Sequence, residues 1–180
     1  MSEDDRARWD ARHSEAGQLS PGPPALFAPI RGMFPTSGQA LEIACGRGQA
    51  AVWLALRGMN VQALDVSPVA IDLAGRLAND HGVAQRVRFE VWDLDDGLPP
   101  GPEVDLVLSH MYRDPKLYLA MADRVGSGGL LAVAGLSMVG GETGSFRAAP
   151  GELRDAFGRL EVIVEGEGNG VARFLGRKPS

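Results

Sequence analysis

The sequence predicts an α/β protein built on a single doubly wound sheet of about seven strands, mostly parallel, with an antiparallel closing hairpin and helices on both faces. Three observations predict it. Apolar runs of strand length alternate with helical patterns from Gln39 onward. The first of these runs passes directly into a tight glycine turn, Gly46-Arg47-Gly48. The tail carries two further strand patterns separated only by the turn-rich residues 166–170, which reads as a hairpin.

In chain order, the predicted strands are residues 40–44, 61–65, 87–92, 104–109 and 130–136. Helical patterns fill the gaps at 49–57, 68–79 and 115–125. In the 68–79 helix, Val69, Leu73 and Leu77 form one apolar stripe, Ser67 is the N-cap residue and Pro68 takes the first helical position. Gly82 stops it. The tail adds a short helix at 151–157 and strands at 160–165 and 171–176. Ahead of the sheet, residues 4–16 are charged and helix-prone, and Ser20-Pro21-Gly22-Pro23-Pro24 separates them from 25–34. Residues 1–38 are therefore expected to form a helical arm or lid, and residues 39–180 the sheet domain. The glycine-rich stretch 137–150 is long for a connection and reads as a mobile loop rather than packed structure.

At 180 residues, 44% hydrophobic and 23% charged, the chain suits one domain with a single large core. A net charge of −5, with no cluster of lysines and arginines, argues against a nucleic-acid partner. The single cysteine, Cys45, excludes an intramolecular disulfide and a zinc knuckle. The start, Met1-Ser2-Glu3-Asp4-Asp5, is acidic where a signal peptide is basic and then apolar, and no apolar run is long enough to span a bilayer. These features predict a cytoplasmic protein, a monomer or homodimer, with a small-molecule substrate and no membrane partner. No cluster of His, Asp and Glu has metal-ligand spacing, so no metal is expected.

The chemistry starts at Ala40-Leu41-Glu42-Ile43-Ala44-Cys45-Gly46-Arg47-Gly48, an apolar strand with one acid that runs into the turn. Gly46 and Gly48 have no Cβ, so backbone N–H groups there can approach a ligand closely. Asp65 closes the next strand, where a carboxylate reads ribose hydroxyls in a doubly wound sheet. Glycines and acid together point to a nucleoside-containing cofactor. The spacing Gly46-x-Gly48-x-x-Ala51 also satisfies the loose dinucleotide pattern, so an NAD(P)-dependent oxidoreductase stays open at this point.

The order of motifs resembles a Rossmann-like class I S-adenosylmethionine-dependent methyltransferase along nearly the whole chain. Leu41 to Gly48 is similar to the family's acidic–x–Gly–x–Gly–x–Gly motif, with Ala44 in place of the first glycine. Val61-Gln62-Ala63-Leu64-Asp65-Val66-Ser67, Phe89-Glu90-Val91-Trp92-Asp93-Leu94 and Val104-Asp105-Leu106-Val107-Leu108-Ser109 follow in the family's order. Val125-Gly126-Ser127-Gly128-Gly129-Leu130 resembles the glycine turn before strand five. Within the class, Arg8-Trp9-Asp10-Ala11-Arg12-His13, Ala50-Ala51-Val52-Trp53-Leu54-Ala55 and Gly151-Glu152-Leu153-Arg154 look most like the small tellurite-resistance and thiopurine-methyltransferase-like group.

The resemblance implies S-adenosylmethionine as methyl donor, S-adenosylhomocysteine as product, and a small-molecule methyl acceptor. Its site residues fall at Trp9, Glu42, Ala44, Cys45, Gly46, Gly48, Asp65, Val66, Asp93, Leu94 and Ser109 for the cofactor. Asp65 would accept bonds from the ribose hydroxyls, Val66 and Leu94 would flank the adenine ring, and Asp93 would accept from its amino group. Without a ligand, the same glycines are a plain strand–helix turn and Asp65 is a helix cap. Asp95 and Asp96 read as a solvated acidic loop, and Cys45 as a small buried residue rather than a nucleophile. His110 and Tyr112, after the fourth strand, are the polar groups expected to meet an acceptor. A general base is optional where the acceptor is already an anion. Trp9, Arg12 and His13 read either as part of a lid or as an amphipathic helix anchored by Trp9. A non-catalytic cofactor-binding module is the remaining alternative to an enzyme.

Overall fold

The computed structural model describes Asp10, Ala11 and residues 20–180. Asp10 and Ala11 are helical, and the rest of the expected 4–16 helix, with Trp9, Arg12 and His13, lies outside the described residues. The chain forms two compact units, residues 1–97 and 98–180.

The first unit holds β1 (Gln39–Ile43), α1 (Gln49–Leu56), β2 (Asn60–Asp65), α2 (Pro68–Asp80) and β3 (Val87–Val91). All three strands are parallel, with β2 central: Leu41 pairs with Gln62, and Gln62 with Arg88. Leu41, Ile43, Leu54, Met59 and Leu64 are fully buried, as continuous apolar strands under helical cover require. A 3-10 segment, Ala25–Met33, delivers Phe27 and Phe34 to this core. Phe34 meets Phe27 and Trp53 edge-on at 5.5 Å each, and Arg57 covers the Trp53 ring while donating to the Phe34 carbonyl (2.8 Å).

Helix α2 starts as expected, with Ser67 accepting from the Ala70 N–H at 3.0 Å and Pro68 in its first turn. Its deepest face is different from the one expected. Ala70, Ala74 and Ala78 are the buried residues, and Val69, Leu73 and Leu77 flank them half-exposed. Alanines at i, i+4 and i+8 bring the helix close to its neighbours, where leucines would hold it away.

The second unit holds β4 (Val104–His110), α3 (Tyr118–Arg124), β5 (Val125–Leu136), α4 (Glu152–Phe157), β6 (Glu161–Gly168) and β7 (Val171–Arg177). Strand β5 pairs parallel with β4 and antiparallel with β7, and β6 pairs antiparallel with β7. The seven strands thus form a mostly parallel sheet with an antiparallel closing hairpin. Leu106, Leu108, Met121, Leu131, Phe157 and Phe174 are fully buried, and the Phe157 ring sits 5.0 Å from Tyr118 and 5.4 Å from Phe174.

Three expectations change here. The glycines at 126–129 lie inside β5 as an irregularity, because Val125 pairs with Val104 and Leu130 with Leu106. The hairpin turn narrows to Asn169-Gly170, since β6 runs to Gly168. The stretch 137–150 is tied into the fold at both ends, while residues 140–146 between them are exposed. Ala148 N–H donates to Leu136 O (2.8 Å), Met138 N–H to Ala148 O (3.0 Å), Ser137 N–H to Gly170 O (2.8 Å) and Gly170 N–H to Val139 O (2.9 Å). Glycines there satisfy backbone polar groups by letting the chain fold back on itself, which is packing without side chains.

Candidate cofactor and acceptor sites

In the first unit, β1 ends one residue earlier than expected and Ala44 opens the turn. Ala44, Gly46 and Gly48 all have left-handed backbones, with φ of 55°, 54° and 74°. Ala44 therefore takes a conformation that costs an L-residue energy, so its surroundings must impose it. They do so through two backbone bonds, Cys45 N–H to Leu64 O (2.8 Å) and Gly48 N–H to Cys45 O (3.0 Å), and through Gly46 N–H to the Asp65 carboxylate (2.8 Å).

Asp65 is buried at the end of β2. One carboxylate oxygen accepts from Gly46, the other from the Ser67 N–H at 3.0 Å. Asp65 is thus a brace between turn and strand, and Ser67 is the helix cap. The Ser67 hydroxyl in turn donates to the Asp10 carboxylate, a contact that no local sequence signal announced. Trp92 N–H donates to Asp65 O (2.8 Å), which sets Asp93 and the buried Leu94 beside the same strand end. Asp93 accepts from the Asp95 N–H at 3.0 Å, while Asp95 and Asp96 are exposed. Buried Val66 completes an apolar and acidic rim around a left-handed turn.

Beneath it, Glu42 is 4% exposed and its Oε2 has no hydrogen-bond partner among the described residues. Burial pushes its carboxyl up to about 8; the Ala51 N–H opposes this and the Asp65 charge adds to it. Burial, reinforced by Glu42 and Asp65, also pushes the Cys45 thiol up, so the thiolate is disfavoured and the residue is packing, not a nucleophile. Glu42 makes a pH prediction for the cofactor-free chain. Between 4.5, its ordinary value, and about 8, the folded chain holds a proton that the unfolded chain has released. Stability then falls as pH rises through that window, by up to about 1.4 kcal/mol per pH unit from this one group, and levels off above it. Glu42→Gln removes this slope. Urea midpoints of both proteins at pH 5, 6.5 and 8 check it, and parallel profiles would count against the assignment.

In the second unit, Ser109 is buried near the end of β4 and His110 is its last residue. Burial lowers the His110 pKa, so the ring is neutral at physiological pH, and its Nε2 is buried with no partner among the described residues. Met111 follows with φ 61° and is half exposed, its N–H donating to Ala134 O at 2.7 Å. Tyr112 is partly buried. Arg113 then donates to both oxygens of Glu152 (2.7 Å each), which also accept from the Tyr118 hydroxyl (2.8 Å) and the Ala149 N–H (3.0 Å). Burial alone would raise the Glu152 carboxyl, but these bonds outweigh it and hold it below the usual range. Burial, then Glu152, raises the Tyr118 hydroxyl. Arg113 and Glu152 were not expected as a pair, because nothing local in sequence links them. Among the described residues no cluster of His, Cys, Asp or Glu is arranged to hold a metal, and no helix is long and apolar enough to cross a membrane.

A family model described as a methyltransferase domain matches residues 40–129, half of the chain, from β1 into the glycines of β5. The chain belongs to the class I S-adenosylmethionine-dependent methyltransferase family. This membership sets aside the dinucleotide reading of the glycine turn. A stretch of 51 residues is 49% identical to the release factor glutamine methyltransferase of Chlorobaculum tepidum, covering 27% of this chain and 17% of that protein. TehB from Haemophilus influenzae shares the fold at a TM-score of 0.70 and 20% identity, over 79% of this chain and 58% of TehB. The geranyl diphosphate C-methyltransferase of Streptomyces coelicolor, solved with Mg2+, geranyl diphosphate and S-adenosyl-L-homocysteine, shares it at 0.70 and 14% identity over 98% of both chains. The chain spans less than two thirds of the first two relatives.

Proposed function

We propose that this methyltransferase-family chain transfers a methyl group from S-adenosylmethionine to a small-molecule thiol, oxygen, nitrogen or metalloid oxyanion acceptor. The observation that carries the reading is the left-handed turn at residues 44–48 braced by Asp65, inside the stretch the family model matches. Each Asp65 oxygen is committed to one backbone donor and has a lone pair to spare, so the carboxylate fits a ribose diol. Val66 and Leu94 offer apolar walls for a purine, and Asp93 an acceptor for its amino group. Glu42, Ala44, Cys45, Gly46 and Gly48 shape the floor and turn on which the amino-acid end would lie. Ser109 is proposed as a further cofactor contact, and Trp9 as part of the covering arm.

S-adenosylmethionine, when bound, supplies a methyl carbon made electrophilic by its sulfonium. The protein's work is then orientation and exclusion of water. His110, neutral and with a ring nitrogen available, is proposed to take the acceptor's proton, and Tyr112 to orient the acceptor. Action in the cytoplasm, as a monomer or homodimer and without a nucleic-acid partner, belongs to the same reading, and the acidic net charge of −5 supports the last of these.

Calorimetry and a labelled-methyl screen test it together. The expected result is binding of S-adenosylmethionine and its homocysteine product, no binding of NAD, and methylation within a panel of thiols, phenols, amines and selenite or tellurite. Cofactor binding with no methylated product would convert the protein into a binding module. No cofactor binding would end the reading.

A further inference from the structure

We propose that Glu152 is a positioning residue for the methyl acceptor, holding the segment 137–150 against the peptide that leaves β4; this rests on the methyl-transfer reading above. One carboxylate does the joining. Its Oε1 accepts from Arg113 Nε and from the Tyr118 hydroxyl, and its Oε2 from Arg113 Nη2 and the Ala149 N–H. Arg113 spends its remaining terminal nitrogen on the Ser145 carbonyl at 2.7 Å. Both side chains of the pair are largely buried, at 20% and 16% exposure. All three guanidinium nitrogens are engaged, so Arg113 is a fastener and not a receptor for an anionic acceptor.

What the clasp holds is the telling part. Met111, two residues before Arg113, has φ 61°, a conformation a side-chain-bearing residue keeps only when its surroundings over-determine it. On one side its N–H is bound to Ala134 O. On the other, Arg113 is tied to Glu152 and Ser145. His110 and Tyr112 flank that strained residue, so the direction of both side chains depends on the strain being maintained. The far side of the segment is secured separately: Glu167 accepts from the Ser137 hydroxyl (2.7 Å) and the Gly151 N–H (3.0 Å). Loss of Glu152 therefore frees the edge beside β4 and leaves the base of the segment in place.

The test compares wild type with Glu152→Gln in the full chain. The substitution keeps the shape but removes the charge and turns one accepting oxygen into a donor. Expected are amide exchange at least tenfold faster at residues 110–114 and 138–150, unchanged exchange over 42–48, and S-adenosylmethionine affinity within twofold. With an acceptor found in the panel, KM should rise at least tenfold and kcat fall less than threefold. If Glu152→Gln does not fold, Tyr118→Phe carries the same comparison, because it removes one of the four bonds and keeps the ring against Phe157; a KM rise of two- to fivefold is then expected. A variant with wild-type exchange and KM overturns the role of Glu152 alone. Exchange raised throughout, with kcat and cofactor affinity falling together, overturns it too, since that is loss of stability without positioning. A wild-type protein that methylates nothing overturns both this role and the methyl-transfer reading.

Discussion

Gly48→Ala is expected to destabilise the protein by about 3–5 kcal/mol, combining left-handed strain with overpacking. Gly48 has φ 74°, and a Cβ built there would lie 2.6 Å from the Ala74 Cβ and 2.9 Å from the Phe89 ring. Neither neighbour can give way easily. Ala74 is fully buried on the alanine face of α2 and has no flexible end to swing aside. The new methyl must therefore push α2 away or move the turn, and the turn is bound through Gly46 to Asp65. Set against a typical total of about 5–15 kcal/mol, the change removes a large share of stability. In whatever fraction stays folded, the displaced turn should bind S-adenosylmethionine at least tenfold more weakly. Urea unfolding and calorimetry measure the two effects. Adding Ala74→Gly should recover part of the stability, because it removes the closest contact while the strain at φ 74° remains. A single variant with a wild-type midpoint would show that α2 is not seated as described.

The same contact explains what the sequence disclosed and what it concealed. The strand–turn–helix at residues 40–57 and the acids that end β2 and follow β3 were legible because each depends on neighbours in sequence. The buried face of α2 was not. Hydrophobic periodicity favours Leu73 and Leu77, yet the side chain nearest Gly48 is decided by how closely a helix must approach, and small residues permit that. The glycines at 126–129 looked like a turn before a strand because composition cannot distinguish a turn from an irregularity inside one. Residues 137–150 looked loose for a related reason. Their order comes from backbone bonds to Leu136 and Gly170 and from Arg113 and Glu152, partners that only the fold brings together. At the proposed site the division is similar. Asp65 announced itself by position, whereas its bonds to Gly46 and Ser67, and the reach of Asp10 to Ser67, are properties of the folded chain.

Asp65→Ala is expected to weaken S-adenosylmethionine binding at least tenfold, about 1.4 kcal/mol or more. In the proposed site the carboxylate takes the ribose hydroxyls, and charge-assisted bonds of this kind are among the stronger ones. The structure adds a second consequence. Removing the carboxylate strands two N–H groups, that of the half-buried Gly46 and that of the fully buried Ser67, where water has little access. Unmet buried donors cost about 1–3 kcal/mol each, so the variant should lose stability even with no cofactor present. The two losses can be separated. Asp65→Asn keeps one accepting oxygen but aims an amide at the other backbone donor, so it should recover only part of the stability. It also presents one accepting oxygen to the diol where the carboxylate presents two, so its affinity should stay nearer to the alanine variant than to wild type. Isothermal titration with S-adenosylmethionine and urea unfolding of the cofactor-free proteins give both quantities. Unchanged affinity with reduced stability would leave Asp65 as a brace of the turn and take it out of the cofactor's reach. Unchanged stability would mean that the turn does not rest on it, and the left-handed Ala44 would need another support.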